Sequence, residues 1–227
     1  MPKIDMICLA NSRKLQGRCV AGLRTDGEGW IRPVAAVPLG TLHPGHYMLQ
    51  DVTQPLLMDV ISVSYHGGQA EPHQPENWLI DSTGWRLVFR PAPAEYDAIL
   101  RGSLETGPGL LGNESNRVDY ATLAAMPGAA SLALIVPEDL QWNVTTDFRG
   151  QRRTKARFRL AGAAYDLPIT DPCWPSRLDH LPLGVYPVAA ANVAADEYVM
   201  LTVSLGEPTP WDNCCYKVVA GVVVAKR

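Results

Sequence analysis

Six cations fall between Asp147 and Asp166 with no acid among them: Arg149, Arg152, Arg153, Lys155, Arg157 and Arg159. Read as a strand, this stretch puts Arg153, Lys155, Arg157 and Arg159 on one face and Ala156, Phe158 and Leu160 on the other. Side chains two apart on a strand are spaced by roughly 6.6 Å, so the stripe reaches about 20 Å. A row of cations with that reach can follow several phosphates of one nucleic-acid strand or of an A-form backbone. Arginine predominates, which suits bidentate phosphate contacts and stacking on bases. The same pattern also describes a solvated outer face or an edge strand protected by charge. A second acid-free stretch, between Asp5 and Asp26, holds Arg13, Lys14, Arg18 and Arg24. Nearby, Trp30 and Arg32 share a face of a short strand and pair an aromatic platform with a cation. Trp30 and Tyr165 are equally suited to a core.

Other candidate chemistry is weaker. Gly107-Pro-Gly-Leu-Leu-Gly112 matches GxGxxG, but a dinucleotide site needs a strand before it and a helix after it. Here a helical stretch precedes it and Asn113-Glu-Ser-Asn follows, so it reads as a linker. His43, His46, His66 and His73 have no cysteine near them and Pro44 breaks the first pair, so loop histidines are expected in place of a metal site. Cys19 beside Arg18, and Cys214-Cys215 beside Lys217, have the form of activated thiolates but lie in apolar β runs. Asp171 and Glu76 sit in proline-rich loops where turn hydrogen bonding is the usual role. No nucleophile elbow, HExxH or paired-carboxylate signature is present, and no metal or cofactor is expected.

The whole chain frames these clusters. Its 227 residues carry 20 basic and 23 acidic side chains, a formal charge of −3 that excludes a generally basic protein but not a local basic surface. The length allows one large or two small domains with a real apolar core. Five cysteines form no even framework, the N-terminus lacks the apolar core of a signal peptide, and no apolar run is long enough to span a bilayer. A soluble, cytoplasmic protein with reduced thiols is expected.

Glycine and proline, 19 of each, favour turns over long helices. Strands are predicted at 4–9, 18–23 and 30–34, the first ending in a polar loop from Ala10 to Lys14. Further strands are predicted at 56–65, 85–89, 132–136, 140–144, 152–160, 164–168, 198–205 and 216–224. Ala94–Leu104 has helical character, and Asp119 is placed to cap a short helix ending before Pro127. Many short strands with brief helices argue for small barrels or sandwiches. The expected fold is mainly β, as two tandem units: residues 1–126 with a helical linker, and 127–227. Arg18–Gly22 followed by Trp30 loosely echoes Arg157–Gly162 followed by Tyr165.

Three N-terminal segments, Ile7–Lys14, Gly17–Gly22 and Gly29–Val34, resemble the signature of the bacterial dual OB-containing domain family. Arg157–Gly162, Tyr165–Pro172, Leu201–Pro208 and Cys215–Gly221 are similar to its later segments. The resemblance implies two tandem OB-like β-barrels and nucleic-acid binding, RNA or single-stranded DNA, in a prokaryotic conflict or defence setting and without enzymatic activity. On that implication Asn11, Ser12, Arg13, Lys14 and Arg18 would hold phosphates or base edges in the first barrel, with Trp30 and Arg32 stacking nearby. Arg153, Lys155, Arg157 and Arg159, with Lys217, would serve the second. A protein-interaction module is the first alternative. An enzyme acting on a nucleotide or modified base, using Asp171, Lys217 or Cys19, is the second.

Overall fold

The computed structural model describes residues 1–81 and 83–227. The first barrel is built from β1 (Lys3–Lys14), β2 (Gly17–Arg24), β3 (Trp30–Val34), β4 (Val60–Gly68) and β5 (Asn77–Ile80), with β6 (Arg86–Phe89) added at the rim. β1 is long enough to serve two neighbours. Lys3–Ile7 pairs with β4, and Met6–Lys14 pairs with β2. The ring closes in the order β1-β2-β3-β5-β4-β1, with β3 and β5 parallel. A bulge between Cys8 and Ala10 leaves Leu9 unpaired, and such bulges redirect a side chain out of the alternation. Leu9 is fully buried, yet it packs outside the barrel's own core, which holds Met6, Cys8, Val20, Ile31, Ile61 and Trp85.

The second unit repeats this logic in a more open form. β8 (Leu132–Ile135) and β9 (Glu138–Thr146) follow one another along the chain. β8 pairs with β13 (Glu197–Pro208), and β9 pairs with β10 (Arg152–Leu160). β11 (Ala163–Pro168) continues the meander, while β14 (Cys214–Lys226) pairs with β13. A parallel bridge from Ile169 to Val219 stands where β3 and β5 pair in the first barrel. The result is a half-barrel of two four-stranded sheets, β11-β10-β9-β12 and β7-β14-β13-β8, where β7 is Arg117–Asp119 and β12 is Gly184–Pro187. The echoing segments Arg18–Gly22 and Arg157–Gly162 begin in the second strands of the two units, β2 and β10. Trp30 and Tyr165 lie in the third strands, β3 and β11. Helices are brief: α1 (Pro44–Tyr47), α2 (Tyr96–Leu100) and α3 (Tyr120–Ala125), the last capped by Asp119, which accepts from the Ala121 N–H.

The stretch expected to be a polar loop, Ala10–Lys14, is instead the second half of β1, and the hairpin turns at Leu15-Gln16. Asn11 to Lys14 lack apolar character because they meet polar groups of both units: the Pro55 and Cys19 carbonyls of the first, and the Thr170 carbonyl and Glu207 of the second. Residues 117–126 pack with that unit too: β7 pairs with β14, and Val118 and Leu123 meet Leu205 and Cys215.

The two units share a core. Leu9, Leu23, Met58 and Leu100 pack against Leu134, Met200, Val223 and Ala225. Ala10 and Ala21 meet Leu132 and Ala220, small side chains that bring β1 and β14 close together. A Cβ on Gly221 would stand 2.1 Å from the Leu9 carbonyl oxygen, so only glycine admits this approach.

Candidate nucleic-acid interface

β10 has the expected alternation. Thr154, Ala156, Phe158 and Leu160 are buried, while Arg153, Arg157 and Arg159 are exposed and Lys155 is half-exposed. β10 is flanked by β9 and β11, so it is not an edge strand, and protection of a free edge does not explain its charge. The flanking strands also bring acids that the chain order concealed. Asp166 pairs with Lys155 at 3.0 Å, and Asp147 pairs with Arg153 at 2.8 Å. Arg159 donates to the Gly162 carbonyl at 2.6 Å. Among the described residues Arg157 and Arg159 have no ion-pair partner. Asn116, Gln141 and Asn143 join them along a shallow groove of about 560 Å³, with Asp139 and the Lys155-paired Asp166 also on its lining.

The turn from β9 to β10, Asp147-Phe-Arg-Gly150, carries the most exposed large apolar side chain outside the chain end. Phe148 is 92% exposed, with the Arg149 guanidinium 5.1 Å from its ring centre. Asp147 fixes the turn by accepting from the Arg149 and Gln151 N–H groups. Neither Phe148 nor the amides of β9 was singled out from sequence. The available signal was an aromatic inside a four-residue turn, where no core can reach it.

The remaining candidates lie elsewhere: Lys14, Trp30 and Arg32 help to join the barrels, while Asn11, Ser12 and Arg18 bond within the first. Ser12 is buried and donates to the Cys19 carbonyl, and Asn11 donates to the Pro55 carbonyl. Lys14 pairs at 2.6 Å with Glu207, which also meets His73 at 2.7 Å. The Arg13 backbone N–H donates to the Thr170 carbonyl, while its side chain is exposed. Arg18 is half-buried and contacts Gln54. Trp30 and Arg32 do share a strand face, but the second barrel covers it. Trp30 is half-buried against the shared core, so it is not a free stacking platform.

Arg32 is fully buried, donating to Ser131 Oγ at 3.0 Å, Ser204 Oγ at 3.1 Å and Asn77 Oδ1 at 3.4 Å. Glu76 lies 4.0 Å from the same guanidinium and accepts from the Ser131 N–H and hydroxyl. A guanidinium so enclosed cannot reach a phosphate.

Lys217 is equally withdrawn. It is buried, donates to Asn113 O at 2.8 Å and Oδ1 at 2.9 Å, and stands 5.4 Å from the centre of the Tyr165 ring. Desolvation lowers its ammonium to about 8. Tyr165 is a core residue stacked on Phe158, its hydroxyl accepting from the Leu110 N–H.

The groups that would make an enzyme site do not converge. Asp171 lines the cavity between the barrels, whereas neither Cys19 nor Lys217 lines it. Burial raises the Asp171 carboxyl, against the opposing effect of N–H groups from Cys173, Val222 and Trp174 and the charge of Arg18. Burial likewise pushes the Cys215 thiol up to about 12, which keeps it protonated.

Two units with the same strand order, the first a closed five-stranded ring with its β3–β5 pair parallel, are the architecture of tandem OB folds. Residues 4–222 match the family model for the dual OB-containing domain. The chain belongs to that family. A search of curated proteins returned no match. In this dual OB protein, Arg157, Arg159 and the most exposed aromatic fall on the second unit, whereas in the first Lys14 and Arg32 are spent on the joint and Arg24 and Arg90 on ion pairs within the unit. Among the described residues no helix is long and apolar enough to cross a membrane.

Proposed function

We propose that this protein binds a single strand of RNA or DNA across the outer face of β9, β10 and β11. The observation that carries the reading is the juxtaposition of unpaired Arg157 and Arg159 with hydrogen-bonding Gln141 and Asn143 on one exposed face, at the far end of which the same hairpin presents Phe148 to solvent. Guanidinium groups track phosphates, amides reach base edges, and an exposed ring stacks on any base. The ion pairs of Arg153 and Lys155 are exposed and weak, and a phosphate can replace either carboxylate. Binding to nucleic acid and five unbridged cysteines both suit the cytoplasm.

Fluorescence anisotropy with labelled 20-mers, single- and double-stranded, at about 50 and about 200 mM salt tests this. Single strands bind and weaken steeply as salt rises. The double variant Arg157→Ala, Arg159→Ala lowers the slope of log affinity against log salt by about 1.4, since each phosphate contact on a single strand contributes about 0.7. Phe148→Ala weakens binding by about 5- to 150-fold with little change in slope, as loss of one stacked base does. Failure of every nucleic acid to bind at low salt would overturn the reading and leave a protein partner as the leading one.

A further inference from the structure

Residues of both barrels line a cavity of about 510 Å³. Its volume lies within the range of small-molecule sites. Pro55, Leu57 and Met58 of the first barrel face Pro172, Val222 and Val224 of the second, giving apolar walls from both units. Three buried polar groups interrupt those walls. Asp171 is 6% exposed and has no ion-pair partner among the described residues, its carboxyl being met by backbone N–H groups of Cys173, Trp174 and Val222. Asn11 Oδ1, an acceptor, and Trp174 Nε1, a donor, are buried without hydrogen-bond partners, one on each barrel. Both residues line the cavity while the orphaned atoms lie just beneath its surface, and because an unmet buried group is costly, an occupant that draws either atom into a hydrogen bond is favoured.

The mouth supplies the opposite charge. Arg177 lines it, held over the Trp174 ring at 4.8 Å and anchored to the Ala191 carbonyl, while the Glu197 carboxylate on the same lining accepts from the Ala194 N–H. Arg18 stands beside it through Gln54, close enough to Asp171 for their charges to interact. An occupant must therefore combine a flat apolar body, edge donors and acceptors, and an anionic group. We infer that the inter-barrel cavity binds one nucleotide, its base between the apolar walls and its phosphate at Arg18 and Arg177. Free mononucleotides and an unstacked nucleotide of a bound strand present the same chemistry.

Cys173 offers a probe, because its thiol is exposed and lines the cavity, while Cys8, Cys214 and Cys215 are buried. Alkylation of Cys173 by iodoacetamide, followed by peptide mass analysis, is measured with AMP, GMP, CMP or UMP, with the matching nucleosides, and with single strands carrying either intact or abasic positions. Protection by a mononucleotide identifies free nucleotide as the source. Protection by intact but not abasic strands identifies an unstacked base. For a mononucleotide that protects, Arg18→Ala with Arg177→Ala weakens it at least 10-fold while the nucleoside is little affected, and Cys173→Trp, which fills the mouth, abolishes its binding in calorimetry. No protection by any of these probes at millimolar concentration overturns the inference. Strand binding at β10 is read separately by anisotropy, so the two proposals fail independently.

Discussion

Lys217 is the residue where burial and charge conflict most openly. Among the described residues no carboxylate meets it, and its ammonium is held by the Asn113 carbonyl and amide oxygens beneath the Tyr165 ring. Its folded value of about 8 lies below the ordinary lysine value, so the folded state disfavours the charged form. The unfolded chain then binds more protons between pH 8 and pH 10.5, and stability rises with pH across that window, by up to about 3 kcal/mol. Lys217→Met removes the buried charge, and Asn113 O keeps the Tyr165 hydroxyl as a donor while Oδ1 keeps the Ser115 N–H. The variant should match or exceed the parent in thermal stability at pH 7 and lose the lysine's share of the alkaline rise, as melting curves at pH 7 and pH 10 would record. A drop of several degrees at pH 7 would instead make Lys217 an essential clamp on the 110–116 segment. Nothing in the sequence distinguishes this lysine from the arginines of β10. Both lie in strands, and only the fold shows that Asn113 arrives over one and solvent over the other.

Among the elements, β1 and β14 form the joint, and the joint rests on backbone proximity. Ala10, Ala21 and Ala220 keep the contact thin, the bulge at Leu9 turns its side chain into the shared core, and Gly221 lets its carbonyl approach. Gly221→Ala puts a methyl group 2.1 Å from the Leu9 oxygen, inside any permitted contact, so the strands must separate. The expected cost is about 1–3 kcal/mol or more, a loss of several degrees in Tm. A silent substitution would mean that the strands part without penalty. Strand positions were legible in the sequence where apolar and polar residues alternate, as in β10, whose bounds match the expectation at both ends. β5, β7 and β12 were not legible, being three or four residues long and defined by partners distant in the chain. The second half of β1 misled for a related reason: Asn11, Ser12, Arg13 and Lys14 read as a solvated loop because their neighbours, Pro55, Thr170 and Glu207, lie far away in sequence.

At the scale of the molecule, the two barrels should unfold as one unit, because neither can bury its share of the common core alone. Leu9, Leu23 and Met58 would face water without Leu134, Met200 and Val223. Each buried aliphatic or methionine side chain contributes about 1.5–3 kcal/mol, so separating the units costs more than a domain of this size has to spare. Polar contacts set the register of that interface. Arg32 reaches Ser131 and Ser204 across it, and Glu207 of β13 meets Lys14 and His73 of the first barrel. Burial acts to raise the Glu207 carboxyl, but its bonds to His73 and Lys14 outweigh that effect and hold it at about 2. Its folded value is therefore depressed, so its contribution is complete above pH 4.5 and is lost as pH falls toward 2. Glu207→Gln should lower stability at pH 7 and flatten the acid limb of the stability profile between those values. Urea unfolding followed by tryptophan fluorescence and by far-ultraviolet circular dichroism should give one coincident transition, at pH 7 and at pH 4, in both the parent and Glu207→Gln. Tryptophans on both barrels, Trp85 in the first core and Trp142 in the second, make the fluorescence sensitive to either unit. Two resolved transitions in the parent would show that the shared core does not couple the barrels, and would detach the inter-barrel cavity from the stability of the joint that forms it.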